Sequence, residues 1–254
     1  MARVLEGKTA VVTGGATGLG QAMAQLLAAR GADLIVIDLD VATDTVAMIE
    51  EAGGSAASYC ADLTDEAQVN DTFDAILRQH KSIDILVNNA GFYAVTRRPF
   101  WELDLSEWER VIMVNVRSVF LCSRAAATPM RQQGWGRIVN ISSAVITFGM
   151  PNLMHYVAAK SAVAGMTRSM AAELGPFGVS VNAVAPGLVP TATATARQTI
   201  GAEALEQAVH SQAIQQPLAA ADVAATVAFL CSPEAAMVSG QTILVNGGAT
   251  FNGL

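Results

Sequence analysis

Charge is scarce in this chain, and positive charge scarcest. Of 254 residues, 15 are Lys or Arg and 22 are Asp or Glu, a formal net charge of −7. That balance argues against nucleic acid or an anionic membrane as a partner. Cysteine is nearly absent. Cys60, Cys122 and Cys231 are odd in number and form no Cys-x-x-Cys pair, so neither a disulfide framework nor a metal site is indicated. Buried, reduced thiols of a cytoplasmic protein are expected instead. The opening residues, Met1 to Lys8, lack the apolar core of a signal peptide. No charge-free run of about 18 apolar residues suggests a membrane span. Linkers, repeats and low-complexity segments are missing too.

Apolar side chains are abundant, at 52% of the chain. That is far above what a disordered chain carries and enough for a sizeable core. The length suits one domain over 1–254. Strands are predicted at Thr9–Thr13, Asp33–Asp38, Ala56–Cys60, Ile83–Asn88, Arg137–Ser142, Val179–Val184 and Thr242–Val245. Helices are predicted at Leu19–Arg30, Thr43–Ala52, Glu66–His80, Ser106–Gln132, His155–Leu174, Ala202–Gln215 and Ala221–Cys231. Such alternation specifies βαβ units, and the near-continuous apolar strands need helices on both faces. The expected fold class is α/β: a doubly wound, Rossmann-like, seven-stranded parallel sheet. The one irregular stretch, Pro186 to about Ile200 and onward toward 215, reads equally as a mobile lid or as a surface excursion.

Two local patterns carry chemistry. The first strand runs into Gly14-Gly15-Ala16-Thr17-Gly18-Leu19-Gly20, a Gly-x-x-x-Gly-x-Gly turn before a helix. Such a turn lets backbone and a helix N-terminus approach a pyrophosphate. Asp38 closes the second strand, where a carboxylate accepts from ribose hydroxyls and repels a 2′-phosphate. With Leu39 after it and Thr17 in the turn offering no cation, NAD(H) is expected over NADP(H). The second pattern is Tyr156-Val157-Ala158-Ala159-Lys160. Positions i and i+4 share a helix face, and a nearby ammonium would lower the phenol pKa toward the working pH. Tyr156 is then a candidate general acid/base. Taken alone, the pair also fits a packing tyrosine and a solvated lysine.

Together these residues resemble the short-chain dehydrogenase/reductase family over nearly the whole chain. The carriers are Thr13 to Gly20, Asp62-Leu63, Asn88-Asn89-Ala90-Gly91, Asn115, Ser143, Tyr156-x-x-x-Lys160 and Pro186-Gly187. The resemblance implies catalysis by Asn115, Ser143, Tyr156 and Lys160. Ser143 and Tyr156 would polarise a carbonyl, Lys160 would also hold the nicotinamide ribose, and Asn115 would hold a water for a proton relay. It implies cofactor contacts at Gly14, Thr17, Gly18, Leu19, Gly20, Asp38, Asp62, Leu63, Asn89, Ala90, Gly91, Tyr156, Lys160, Pro186, Gly187, Val189 and Thr191. Asn115 is notable in its own right, because asparagine is a poor helix-interior residue and a buried polar role would explain it.

The implied activity is reversible hydride transfer between NAD(H) and a secondary alcohol or ketone. Tyr93, Val95, Val145, Phe148, Met150, His155 and Leu188 are the expected substrate contacts, and Ser143 joins them. Their apolar character favours a hydrophobic or ring-bearing ketone over a phosphorylated or carboxylated one. The loop from Phe92 to Trp101, with Arg97 and Arg98, departs from the family pattern and is expected to shape the substrate mouth. Gln215 to Ala219 and Asn246 also depart from it, at positions that concern subunit packing. Small residues Ala158, Ala162 and Gly165, with Met166 and Met170, suggest helix-to-helix contact between subunits, and the family implies a homotetramer. Two other readings stay open: a 3-oxoacyl thioester reductase or hydroxysteroid dehydrogenase, and a catalytically silent NAD-binding regulatory subunit.

Overall fold

Alternation along the strands explains why this chain needs helices on both sides of one sheet. On β1 (Thr9–Thr13), Ala10 and Val12 enter one apolar cluster and Val11 enters another. On β2 (Asp33–Asp38), Leu34 and Val36 take the first side, Ile35 and Ile37 the second. Successive side chains of a strand point to opposite faces, so strands apolar at every position must be covered twice. Each such side chain, fully buried, contributes roughly 1.5–3 kcal/mol relative to exposure.

The structure, a computed structural model, describes residues 2–93, 95–191 and 201–251. The remaining strands are β3 (Ser55–Cys60), β4 (Ile85–Asn88), β5 (Gly136–Ile141), β6 (Val179–Pro186) and β7 (Thr242–Val245). All seven form one parallel sheet in the order β3-β2-β1-β4-β5-β6-β7. The helices, in chain order, are α1 (Gly18–Ala29), α2 (Thr43–Glu51), α3 (Glu66–His80), α4 (Leu105–Ile112), α5 (Ser118–Gln133), α6 (Met154–Leu174), α7 (Ala202–Ser211) and α8 (Ala220–Cys231). Helices α1 and α8 close the first face through Met23, Leu27, Val223 and Val227. Helices α3 and α5 close the second through Phe73, Ile76, Leu121 and Met130. Chain order reverses direction across the sheet between β1 and β4, and ligand crevices of such sheets open at the carboxyl ends of strands beside that point.

The seven strands match expectation to within two residues. The long helix expected at 106–132 does not run through. It divides into α4, a π-helical turn over Met113–Arg117 and α5. This stretch, Leu105–Gln133, is long and apolar enough to cross a membrane by length and composition alone. It carries Arg117, Arg124 and Arg131, and its apolar residues Leu121, Cys122, Ala126 and Met130 pack into the second cluster. Helix α7 stops at Ser211 rather than 215, because the chain turns extended at Gln212 and the Ile214 amide donates to Gly247 O at 2.8 Å. Of the cysteines, Cys122 and Cys231 are buried and free as expected, but Cys60 is exposed at the end of an edge strand. Of the irregular stretch after Pro186, residues 192–200 lie outside those described, so the lid expectation is carried no further.

Candidate active site

The turn after β1 has no room for a side chain at Gly14 or Gly20. A Cβ on Gly20 would stand 2.1 Å from Gly14 O, and one on Gly14 would stand 2.8 Å from Ala90 Cα. Gly14 and Gly18 also have φ of +64° and +62°, the left-handed region that favours glycine. Asn89 pins the turn from the β4 side, its Nδ2 donating to Thr13 O at 3.0 Å and Gly14 O at 2.8 Å. Thr13 Oγ1 in return accepts from the Asn89 and Ala90 amides, each at 3.0 Å. The half-buried carboxylate of Asp38 holds the other side, accepting from the Ala16 and Leu39 amides at 3.0 and 2.8 Å. Helix α1 then starts at Gly18 with no side-chain cap from Thr17 and no acidic residue in its first turn. The result is a close backbone cradle at a positive helix end, which fits a dinucleotide pyrophosphate.

Further along the strand ends, Asp62 accepts from the Thr64 amide and hydroxyl at 2.8 and 2.7 Å, and Gly187 donates to Val245 O at 2.9 Å beside Pro186. The side chains of Leu63 and Val189 belong to the core, so only their backbone groups could meet a ligand. Leu19 packs partly against the core, and Thr191 lies against Gly18 at 3.6 Å from where a Cβ would stand.

The expected catalytic residues converge beside this cradle. Gly91, just past β4, lies between Asn115 and Lys160: a Cβ there would meet Asn115 Oδ1 at 3.0 Å and Lys160 Nζ at 3.4 Å. Asn115 sits in the π turn, fully buried. It accepts from the Phe92 amide at 3.2 Å and donates to Phe92 O and Val111 O at 3.1 and 3.0 Å. The asparagine thus occupies the break in helical hydrogen bonding, a geometry common at functional sites. Ser143 lies two residues past β5 and caps the short turn Ala144–Thr147. Its neighbour Ser142 is turned away, donating to Lys160 O at 2.9 Å.

The electrostatics of the Tyr156–Lys160 pair differ from the expectation. Burial pushes the Tyr156 phenol above its usual range, Tyr93 pushes it further, and the Ser143 hydroxyl pulls it back. Lys160 does not offset that rise. Its ammonium donates to Ile141 O at 3.0 Å and stands 5.8 Å from the centre of the Tyr156 ring. Burial brings Lys160 itself down to about 8 from 10.5, because no carboxylate accompanies it out of water. The i, i+4 spacing gives the shared face, but desolvation outweighs the pairwise attraction.

The mouth is formed by the loop after β4 and the segments after β5 and β6. Tyr93 packs edge-on against Tyr156, ring centres 5.0 Å apart. Val95, Val145, Met150 and Leu188 are half-buried, and Phe148 is 51% exposed. His155 departs from its expected role. Its ring is 1% exposed, with Nε2 3.5 Å from Glu107 Oε1, so no substrate reaches it in this conformation. Glu107 itself was not expected at the site. Its Oε1 accepts from the Thr96 amide at 2.6 Å, tying the mouth loop to α4, and lies 3.5 Å from His155 Nε2 on the helix that carries Tyr156. Arg110 adds to this tie, its guanidinium 4.2 Å above the Phe92 ring. A glutamate and an arginine three apart on a helix read as solvated residues, and nothing in the sequence marked them.

Residues 14–250 match the family model described as enoyl-(acyl carrier protein) reductase. The chain is 38% identical over 255 residues to the cyclopentanol dehydrogenase of Comamonas sp. (strain NCIMB 9872), covering 96% of this chain and 98% of that protein. It is 39% identical over 255 residues to the cis-4-hydroxycyclohexanecarboxylate dehydrogenase of Sinomonas cyclohexanicum, covering 96% of each. A protein of Agrobacterium tumefaciens solved with bound NADP superposes with a TM-score of 0.88 at 34% identity, covering 96% of this chain and 97% of that one.

Proposed function

We propose that this chain, which belongs to the short-chain dehydrogenase/reductase family, interconverts a ring-bearing secondary alcohol and its ketone with NAD(H). The carrying observation is that Asn115 and Lys160 meet at Gly91, with the Tyr156 ring 5.8 Å from the Lys160 ammonium and the Ser143 hydroxyl hydrogen-bonded to Tyr156. The names of two relatives, a cyclopentanol and a hydroxycyclohexanecarboxylate dehydrogenase, support the ring. That chemistry also weighs against a silent binding subunit, which would have no use for a buried lysine and a buried asparagine at the strand ends.

A dinucleotide held by the cradle and Asp38 would supply and accept hydride; the rest falls to the chain's own side chains. Tyr156, kept protonated by burial, donates its proton to the carbonyl oxygen as negative charge develops there. The Ser143 hydroxyl donates a second hydrogen bond to the same oxygen. Lys160, still cationic at neutral pH, favours the phenolate that remains. Asn115 holds the Phe92 backbone, and so the start of the mouth loop, in register with the reacting atoms. For the cofactor, Asp38 supports NAD(H): residues 14–20 and 38–42 contain no Lys or Arg to receive a 2′-phosphate, and Asp40 adds a second negative charge.

We further propose a single domain over 1–254, since all seven strands share one sheet, in a cytoplasmic homotetramer. Support for assembly comes from apolar surface left uncovered, including Trp101 at 72% and Leu105 at 69% exposure, and from Gly165, which faces open space on α6. Light scattering that gives a monomeric mass would contradict it. The reaction is tested by following NADH consumption with cyclopentanone and cyclohexanone. Tyr156→Phe should lower turnover by about 10²- to 10⁴-fold while leaving NADH affinity nearly intact. Near-normal turnover in that variant would remove Tyr156 from the mechanism.

A further inference from the structure

In a chain with so few cations, the three arginines on and beside the mouth loop differ in what they are paired with. Arg98 is neutralised: it donates to Asp104 Oδ2 at 3.0 Å and to Glu102 O at 3.4 Å. Arg110 rests on the face of Phe92. Arg97 donates through Nη2 to the Tyr93 hydroxyl at 3.0 Å, and among the described residues no carboxylate pairs with it. Glu107, the acid bound to this loop, is already engaged by the Thr96 amide. Arg97 therefore has no acidic partner among the described residues to offset its charge. Because the Tyr93 ring packs on Tyr156, that charge stands one tyrosine's length from the proposed proton donor.

Resting on the alcohol–ketone reading above, we infer that Arg97 and the Tyr93 hydroxyl form an anion-receiving end of the substrate site, and that the substrate is a ring alcohol or ketone bearing a carboxylate remote from the reacting carbon. A guanidinium offers five N–H donors in a planar fork, and one is used here, which leaves enough for a bidentate carboxylate. The Tyr93 hydroxyl accepts from Arg97, so its own proton remains free to donate to the same anion. Half-buried Val95 and Val145 suit the apolar body of a ring. This departs from the sequence expectation of a ketone without a carboxylate: the body stays apolar, but one end is charged. Arg97 also places positive charge with no acidic partner beside the mouth of a chain of net charge −7, a local attraction for an anion.

The test compares 4-oxocyclohexanecarboxylate with 4-methylcyclohexanone in the wild type, Arg97→Gln and Arg97→Lys. The wild type should favour the carboxylate in kcat/KM by about tenfold or more, mostly through KM. Arg97→Gln should erase most of that ratio, and Arg97→Lys should restore part of it, since a point charge lacks the fork. A ratio near one in the wild type, or an unchanged ratio in Arg97→Gln, overturns the inference while leaving the alcohol–ketone reading in place. Calorimetric titration with cyclohexanecarboxylate decides independently of turnover. Binding that weakens about tenfold in Arg97→Gln supports the anion site. Binding that is absent, or equal in both proteins, overturns it. If neither ketone turns over while the carboxylate still binds through Arg97, the proposed activity fails and the anion site stands.

Discussion

The turn after β1 and the loop after β4 meet at Asn89 and Ala90, yet they are held by opposite means. The turn is fixed by exclusion and by backbone bonds: added atoms would collide at 2.1 and 2.8 Å, and Asn89 and Thr13 lock both strands' ends. The mouth loop is fixed by side chains reaching to it from outside, Asn115 to Phe92, Arg110 to the Phe92 ring and Glu107 to the Thr96 amide. A feature made of excluded volume has one solution. A feature made of separate side-chain ties can be retuned one tie at a time. Cofactor geometry is therefore the invariant end of this molecule and substrate choice the adjustable one.

The largest effect should come from breaking the invariant end. Gly20→Ala places a methyl 2.1 Å from Gly14 O, where neither backbone can give way without opening the turn. NADH affinity should fall by about a hundredfold or more, as for a site displaced by an ångström. Fluorescence titration checks this; near-normal affinity would mean that the turn is softer than its contacts imply.

Lys160 lies on the border between the two ends, and its burial has a sign that can be read by titration. Its pKa is about 8 in the folded chain, against 10.5 for a solvated lysine. Below 8 the lysine is charged in both states, and the folded protein carries the whole desolvation cost. As pH rises from 8 to 10.5 the folded form releases the proton first, so that cost is relieved. The folded state thus gains about 3 kcal/mol across this window relative to Lys160→Met. Cys122 and Cys231, both pushed up to about 12 by burial, act oppositely: their contribution is present below 9 and lost as pH rises toward 12. Since both proteins share the thiols, urea unfolding of the pair isolates the lysine. A difference that does not change with pH would mean its ammonium is not desolvated.

Asp38 sharpens the comparison from the cofactor side. Its carboxylate both seats the turn, through the Ala16 amide, and supplies the charge proposed to reject a 2′-phosphate. Asp38→Asn keeps an acceptor for the Ala16 amide, gives up the bond from the Leu39 amide and removes the charge. The NADH-over-NADPH preference should drop by about tenfold, with a loss of stability of about 1 kcal/mol. An unchanged preference would assign Asp38 to the turn alone.

What could be read in advance follows the same division. The glycines were legible because the steric demand admits one residue type. Asn115 was legible as an anomaly, a poor helix former inside a helical pattern, and the π turn explains why it is there. The Tyr156–Lys160 spacing was legible, but the direction of the tyrosine shift was not, because depth of burial is set by α4, α6 and the mouth loop together. His155 was legible as a polar residue beside Tyr156, not as one turned inward. Glu107 left no trace, since a glutamate on an amphipathic helix has a solvated face as its ordinary place and only the seating of α4 against the loop brings it to Thr96.

That tie should give the smallest effect and the most informative one about the adjustable end. Glu107→Gln keeps an acceptor for the Thr96 amide but removes the charge beside the buried His155; Glu107→Ala removes both. Screened by solvent, a hydrogen bond to this carboxylate contributes on the order of 1 kcal/mol, so Glu107→Ala should raise KM about fivefold with kcat less affected. Glu107→Gln should recover most of that loss. NADH affinity should stay the same in both variants, because the cradle has its own supports in Asn89 and Asp38. A matched fall in NADH affinity would show that the two ends are coupled through Asn89 and Ala90, and that the mouth cannot be retuned without disturbing the turn.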